Sequence, residues 1–178
     1  AGFFIGPASA QQASKSEPTG SSTIKIEATE FLEWNQSDGI YIAKGNAFIE
    51  QGNASIRAEH VVAKYANENE NRNITRVVAT GNVIYKEGKN TAKGSKLDYD
   101  LTTSRYVLTG EKAIVNGPRG MLSANKSITY DTQNVSKRVM IAIGKAHYKN
   151  SQGRSIFGDK LVALVGPDGV LSAIDAYD

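Results

Sequence analysis

Three acidic residues could do chemistry together, because a pair of carboxylates can act as general acid and general base on a glycosidic bond. They are Asp98, Asp100 and Asp131. Asp100 and Asp131 each follow a tyrosine at equivalent positions of the repeat described below. A short acidic side chain placed there bonds its own backbone and starts a turn. For this group of residues we therefore favour turn formation over catalysis.

The other residue types that carry chemistry form no recognisable site. His60 and His147 are the only histidines and lie in different repeats, so we interpret them as surface or packed residues. The chain has no cysteine, which excludes disulfides, thiolate catalysis and cysteine-ligated zinc. No glycine-rich loop has the spacing of a phosphate-binding or dinucleotide-binding loop. The sequence therefore predicts a protein that is not an enzyme and that binds no metal or cofactor.

Charge is divided unevenly along the chain. The formal net charge is +3, but residues 1–72 have a net charge of −3 and residues 73–178 a net charge of +6. A basic half can attract the phosphates of nucleic acids, lipids or sugars. The basic residues are scattered singly along alternating segments, which is typical of solvated strand faces. We predict no nucleic-acid partner.

The N-terminal residues have the features of an export signal. Residues 3–5 (FFI) are apolar, and Ala8 and Ala10 have the A-x-A spacing that signal peptidases accept. We expect residues 1–10 to be the residual tail of a signal peptide that is cleaved after Ala10. The protein is then expected in the periplasm.

A change in composition separates a leading segment from the folded domain. Residues 11–22 are polar, serine-rich and interrupted by Pro18 and Gly20, which predicts a disordered lead-in. From residue 23 onward, apolar and polar residues alternate, with turn residues every few positions. This pattern is typical of many short strands. We therefore expect an all-β domain over residues 23–178.

Two short elements alternate along this domain and indicate an internal repeat. The first places Ala or Gly two positions after an apolar residue, at Ala28, Ala58, Gly94, Ala124 and Gly158. The second ends one strand in Gly just before the next strand, at Gly45, Gly81, Gly110 and Gly144. We expect the glycines to let the sheet turn a corner, and the small residues to let a neighbouring strand come close. The repeat indicates an elongated jelly roll or a solenoid.

These segments resemble the OstA-like family of periplasmic lipopolysaccharide-transport proteins. The resemblance extends over residues 23–164 and rests on an ordered series of strands and glycine turns. Its segments are 24–28 (IKIEA), 45–52 (GNAFIEQG), 56–59 (IRAE) and 106–110 (YVLTG). The resemblance implies an elongated, twisted, V-shaped antiparallel β-jelly roll of about sixteen short strands.

The resemblance also implies a function. Proteins of this kind bind lipopolysaccharide, shield its acyl chains in an apolar groove, and bridge the inner and outer membranes. They join head to tail through edge strands with inner-membrane and outer-membrane transport components and with copies of themselves. We expect inward-facing residues to contact the acyl chains, namely Ile24, Ile26, Ala28, Tyr85, Tyr99 and Leu101. We also expect the oppositely charged halves to help adjacent copies align.

Two alternatives stay open from the sequence. The repeat period alone also fits a polysaccharide-binding or polysaccharide-cleaving β-solenoid, although closely spaced turns argue against its parallel strands. The chain could also be the periplasmic domain of an inner-membrane or outer-membrane component of the same transport system.

Overall fold

The computed structural model describes residues 6–7, 13–19, 22–68, 71–167 and 170–178. They form β1 (Gly6–Pro7), β2 (Ala13–Thr19), β3 (Ser22–Ala28), β4 (Phe31–Asn35), β5 (Ile40–Gln51), β6 (Ala54–Glu68), β7 (Asn71–Glu87), β8 (Asn90–Asp100), β9 (Arg105–Thr109), β10 (Ala113–Gly117), β11 (Gly120–Ala124), β12 (Ser127–Asp131), β13 (Arg138–Asn150), β14 (Ser155–Val165) and β15 (Leu171–Tyr177). In these residues no helix is long and apolar enough to cross a bilayer.

Every strand pairing in the described residues is antiparallel. This confirms the predicted all-β antiparallel fold. It also shows that the alternative of a β-solenoid is wrong, because a solenoid stacks parallel strands.

The long strands bend near their middle and pass from one sheet into another. In β5, residues 40–44 pair with β4, whereas residues 48–51 pair with β3. Strands β6, β7, β8, β13 and β14 divide in the same way. The bends of neighbouring strands lie side by side, so the two sheets diverge from one line. The result is a V-shaped, twisted jelly roll.

The two sheets can be defined by their strand order. Sheet 1 contains β1, β4, the first half of β5, the second half of β6, the first half of β7, the second half of β8, β9, β12, the first half of β13, the second half of β14, and β15. Sheet 2 contains β2, β3 and the remaining halves of the bent strands, together with β10 and β11. The chain alternates between the sheets once per bend, which explains why the two sequence elements alternate.

The predicted glycine corners are confirmed by the backbone. Gly45 and Asn46 have φ angles of 79° and 44°, and the β5–β6 register shifts there. The equivalent residues of β7 and β13 also have positive φ angles and register shifts. Two consecutive residues with positive φ angles change the direction of the strand. Gly adopts this left-handed conformation freely, and Asn tolerates it. At these three corners the strand bends instead of ending, so β7 is 17 residues long.

The small residues of the first element lie where a neighbour comes close, as expected. A Cβ atom on Gly94 would lie 2.7 Å from Leu108 Cδ1, and one on Gly158 would lie 3.0 Å from the Tyr177 carbonyl oxygen. Ala28, Ala58 and Ala124 are buried. Larger side chains would therefore push the packed strands apart along the line of bends.

Two of the aspartates make the bonds expected of turn residues. Asp100 Oδ1 accepts from the Thr102 N–H at 2.9 Å and from the Thr102 hydroxyl at 2.6 Å. The hydroxyl hydrogen bond lowers the pKa of Asp100. Asp131 Oδ1 accepts from the Gln133 N–H at 3.0 Å. These two carboxylates therefore start the β8–β9 and β12–β13 turns.

For Asp98 the turn interpretation is wrong. Asp98 lies within β8 between two inward-facing neighbours, so its side chain points to the outer face of sheet 1. Its Oδ1 accepts from Arg76 Nε at 2.9 Å on the adjacent strand β7. The residue is thus a cross-strand ion-pair partner.

The N-terminal segment differs from its expected disorder. Residues 13–19 form β2, which pairs with β3 from Ala13↔Ala28 to Thr19↔Ser22. Backbone bonding to an edge needs no apolar side chains, and an edge strand tolerates a proline. The predicted cleavage position after Ala10 lies outside the described residues.

Candidate functional site

The inner faces of both sheets carry continuous rows of cross-strand neighbours. In sheet 1 the row is Trp34, Tyr41, Ala63, Val77, Tyr99, Tyr106, Tyr130, Met140, Ala163 and Ile174. In sheet 2 it is Ile26, Ile49, Ile56, Tyr85, Ala92, Val115, Leu122, Tyr148 and Ile156. The period-two alternation of each strand places its apolar residues in these rows. The two sheets therefore face each other across an apolar interior that extends along the whole molecule.

The N-terminal end of this interior is filled by aromatic side chains. Trp34 Nε1 donates to the Tyr65 hydroxyl at 2.6 Å. The Tyr41 ring contacts both, with centroid distances of 5.9 Å to Trp34 and 5.1 Å to Tyr65. The Arg72 guanidinium lies 3.9 Å from the Trp34 ring centroid. We call these four residues the aromatic plug.

The C-terminal half of the interior is open. A cavity of about 570 Å³ lies between the sheets. Sheet 1 contributes apolar lining residues such as Leu108, Ile128 and Met140, and sheet 2 contributes Val115 and Leu122. The cavity is large enough for hydrocarbon chains, because ligand pockets are typically about 300–1,000 Å³.

Four tyrosines form a cluster at the N-terminal side of the cavity. Tyr99 stacks on Tyr106 with a centroid distance of 3.9 Å, and Tyr106 stacks on Tyr130 at 5.9 Å. Tyr85 of sheet 2 meets the edge of Tyr106 at 5.7 Å. Burial raises the pKa of Tyr85 and of Tyr99, which keeps both hydroxyls neutral. The cluster thus offers flat, uncharged surfaces to a ligand.

Polar and charged residues line the mouth of the cavity. Glu87 and Arg119 come from hairpins of sheet 2, and Arg138 comes from the start of β13 in sheet 1. Glu87 Oε2 accepts from the Tyr85 hydroxyl at 2.9 Å. An apolar interior with a polar mouth suits an amphiphilic ligand.

The predicted site residues all belong to the interior but do not form one site. Tyr85 lines the cavity, Tyr99 stacks beside it, and Leu101 packs against the core. Ile24, Ile26 and Ala28 lie at the plugged end and are at most 2% exposed. Four further residues of the cavity lining were not predicted from the sequence, namely Tyr106, Tyr130, Met140 and Leu122. Their alternating patterns were visible, but nothing in them marked the open section.

Among the described residues, the histidines and acidic side chains add no metal site to this cavity. In the described part of the chain, no three His, Cys, Asp or Glu side chains are grouped to hold a metal ion. The His147 ring stacks on Phe157 at 4.2 Å, and its Nε2 is 3.0 Å from the Ser155 hydroxyl. These contacts agree with a surface role for this histidine.

Residues 25–136 match the family model described as LptA/(LptD N-terminal domain) LPS transport protein. The chain belongs to this family. The OstA-like resemblance is thereby confirmed, as is the prediction of a transport protein rather than an enzyme. A search of curated proteins gave no match.

A solved structure confirms the fold expected for this LPS transport family. The crystal structure of LptH is described as the LptA homologous periplasmic component of the conserved lipopolysaccharide transport device from Pseudomonas aeruginosa. It matches with a TM-score of 0.52 and 20% sequence identity, over 78% of this chain and 87% of that chain.

Proposed function

We propose that this protein carries lipopolysaccharide through the periplasm with the acyl chains held between its two sheets. The observation that supports this most directly is the 570 Å³ cavity lined from both sheets by apolar side chains. Each methylene moved from water into such a cavity contributes about 0.8 kcal/mol. A groove of this kind lets the chains cross an aqueous compartment while the sugar part stays hydrated.

The six residues predicted from the sequence are part of this proposal. Tyr85 and Tyr99 lie at or beside the open cavity and would meet the acyl chains directly. Leu101 continues the inner face of sheet 1 towards its turn. Ile24, Ile26 and Ala28 continue the inner face of sheet 2 beyond the tyrosines, towards the plugged end. They would contact the chains only when the two sheets separate at that end.

Photo-crosslinking tests the facing of these residues. A benzoylphenylalanine at Tyr85 or Ile26 is expected to capture lipopolysaccharide in cells, with the stronger product at Tyr85 because it lines the open cavity. The matched outward-facing controls are Lys86 and Lys25, and Lys25 is ion-paired with Glu27 at 2.9 Å. Equal capture at inner and outer positions would refute the groove.

Head-to-tail assembly is the second part of the proposal. Within the described residues, β2 pairs only with β3 and β15 pairs only with β14, so an edge strand lies at each end. At the C-terminal end Phe157 is 67% exposed, and Tyr177 is also exposed. Edge strands bind other chains by β-augmentation. Copies of this protein and the inner-membrane and outer-membrane transport components are the proposed partners.

Self-association is expected to weaken with salt. The N-terminal residues 1–72 have a net charge of −3 and residues 73–178 a net charge of +6, so head-to-tail contacts bring opposite charges together. Sedimentation at about 0.05 M and about 0.5 M NaCl should show a lower average mass at the higher salt. A mass distribution indifferent to salt would remove the electrostatic part of this proposal.

A second candidate is a periplasmic domain of a membrane component of the same system. This candidate stays open because the description of the matching family includes the LptD N-terminal domain. An antibody against the chain decides between them. The first candidate predicts a band in a periplasmic extract, and the second predicts a band that stays with the membranes.

A further inference from the structure

Arg138 is placed where an apolar residue would be expected. It starts β13 on the inner face of sheet 1, and its cross-strand neighbour is Val165, which pairs in turn with Leu171. All three residues line the cavity. The guanidinium of Arg138 therefore lies against hydrocarbon at the mouth of the groove.

The Arg138 side chain has an unmet hydrogen-bonding requirement. Its Nε is shielded from solvent and has no hydrogen-bond acceptor among the described residues. An arginine that only extends its charge to water keeps its donors hydrated, and buried polar groups are nearly always bonded. A dry donor on a cation at the edge of a cavity indicates that an acceptor enters with a ligand.

A second arginine lines the same cavity from the other sheet. Arg119 lies in the β10–β11 hairpin and lines the cavity. Its carbonyl oxygen accepts from the Ser151 N–H at 2.9 Å, which ties this hairpin to the next one. The carboxylate of Glu87, also in the lining, already accepts from Tyr85. The mouth thus presents two cations on opposite walls.

We infer that Arg119 and Arg138 form an anion site that takes a phosphate of the headgroup while the acyl chains occupy the cavity. This inference rests on the proposed function. Guanidinium groups bind phosphate with paired, charge-assisted N–H···O bonds. The apolar surroundings of Arg138 strengthen such bonds. A phosphate bound there would orient the amphiphile with its chains inwards and its sugars outside.

Calorimetry with two twelve-carbon amphiphiles separates the anion site from the groove. Dodecyl phosphate and dodecyl maltoside, both below their critical micelle concentrations, share the chain and differ in the headgroup charge. Arg138→Gln and Arg119→Gln are each expected to weaken dodecyl phosphate binding about tenfold and to leave dodecyl maltoside binding unchanged. Lys137→Gln is the matched control. Lys137 is the exposed neighbour of Arg138 and lies outside the cavity lining, so its substitution removes one positive charge without changing the cavity.

Each other outcome overturns a distinct part of the inference. Equal losses in Lys137→Gln and Arg138→Gln would reduce the effect to general surface charge. Equal losses for both amphiphiles would make Arg138 a packing residue. Displacement of dodecyl phosphate by millimolar inorganic phosphate would make this a site for free anions instead of a headgroup. Failure of the wild-type protein to bind either amphiphile would refute the groove itself, and the headgroup site with it.

Discussion

The Ala92→Trp variant is expected to bind lipopolysaccharide at least tenfold more weakly than the wild-type protein. Ala92 lines the cavity in the sheet 2 row, between Tyr85 on β7 and Val115 on β10. An indole at this position occupies the space proposed for the acyl chains. Excluding about three methylenes at about 0.8 kcal/mol each costs roughly 2.4 kcal/mol of binding free energy, which is more than tenfold in affinity. Titration with fluorescently labelled lipopolysaccharide measures the loss.

The control for this variant is Lys93→Trp. Lys93 is the next residue of β8, is exposed, and faces the outer side of sheet 2. The Lys93→Trp variant adds the same indole outside the groove, so its affinity for lipopolysaccharide should match that of the wild-type protein. Thermal melts of both variants should stay close to the wild-type curve, because the indole of Ala92→Trp enters open volume. Full binding by a folded Ala92→Trp protein would show that the acyl chains lie elsewhere.

The corners of the fold were predictable because their signal is local. Gly45-Asn46 and Gly81-Asn82 place two residues that accept positive φ angles in succession, and the structure has both in that conformation. Two consecutive residues with positive φ angles bend a strand through their own backbone conformation, so the signal lies in the pair itself. The same logic applies to Gly94, where only a missing side chain leaves room for Leu108.

The open section of the groove was not predictable in the same way. Ile26 and Tyr85 both alternate with polar residues, and both lie in the inner row of sheet 2. One is nevertheless closed off and the other lines a cavity. Ile26 lies at the end of the interior that Trp34 and Tyr65 fill, and these two hydrogen-bonded residues are 31 apart in sequence. A pattern of alternation cannot report a contact of that kind.

The position of β2 has a related cause. Its pairing with β3 uses backbone groups, so the polar composition of residues 13–19 neither indicates nor forbids it. Composition predicts disorder where a segment has no apolar surface to bury. A segment without apolar surface can still become ordered at an existing sheet edge, because the edge supplies hydrogen-bond partners for the whole strand.

Trp34→Ala is expected to be the most destabilising single change at the plugged end. Trp34 is buried, donates to the Tyr65 hydroxyl and carries the Arg72 guanidinium on its ring. Removing a buried tryptophan costs about 3–5 kcal/mol in the free energy of unfolding. For a domain of this size that corresponds to a fall of roughly 10 °C in Tm. Differential scanning calorimetry measures it directly.

Trp34→Phe separates the aromatic ring from its hydrogen bond. Phenylalanine keeps a smaller aromatic ring and loses the Nε1 donor, so the unpaired Tyr65 hydroxyl should account for about 1–3 kcal/mol of its cost, the usual cost of leaving a buried polar group unpaired. If Trp34→Ala and Trp34→Phe lost the same stability, the plug would be held by the hydrogen bond and not by packing.

We also expect the plug to limit how far a ligand can advance. Trp34→Ala leaves space beside the buried N-terminal part of the inner rows, so crosslinking of lipopolysaccharide at Ile26 should rise while crosslinking at Tyr85 stays constant. An unchanged Ile26 product in a folded Trp34→Ala protein would mean that the plug does not limit how far the acyl chains advance.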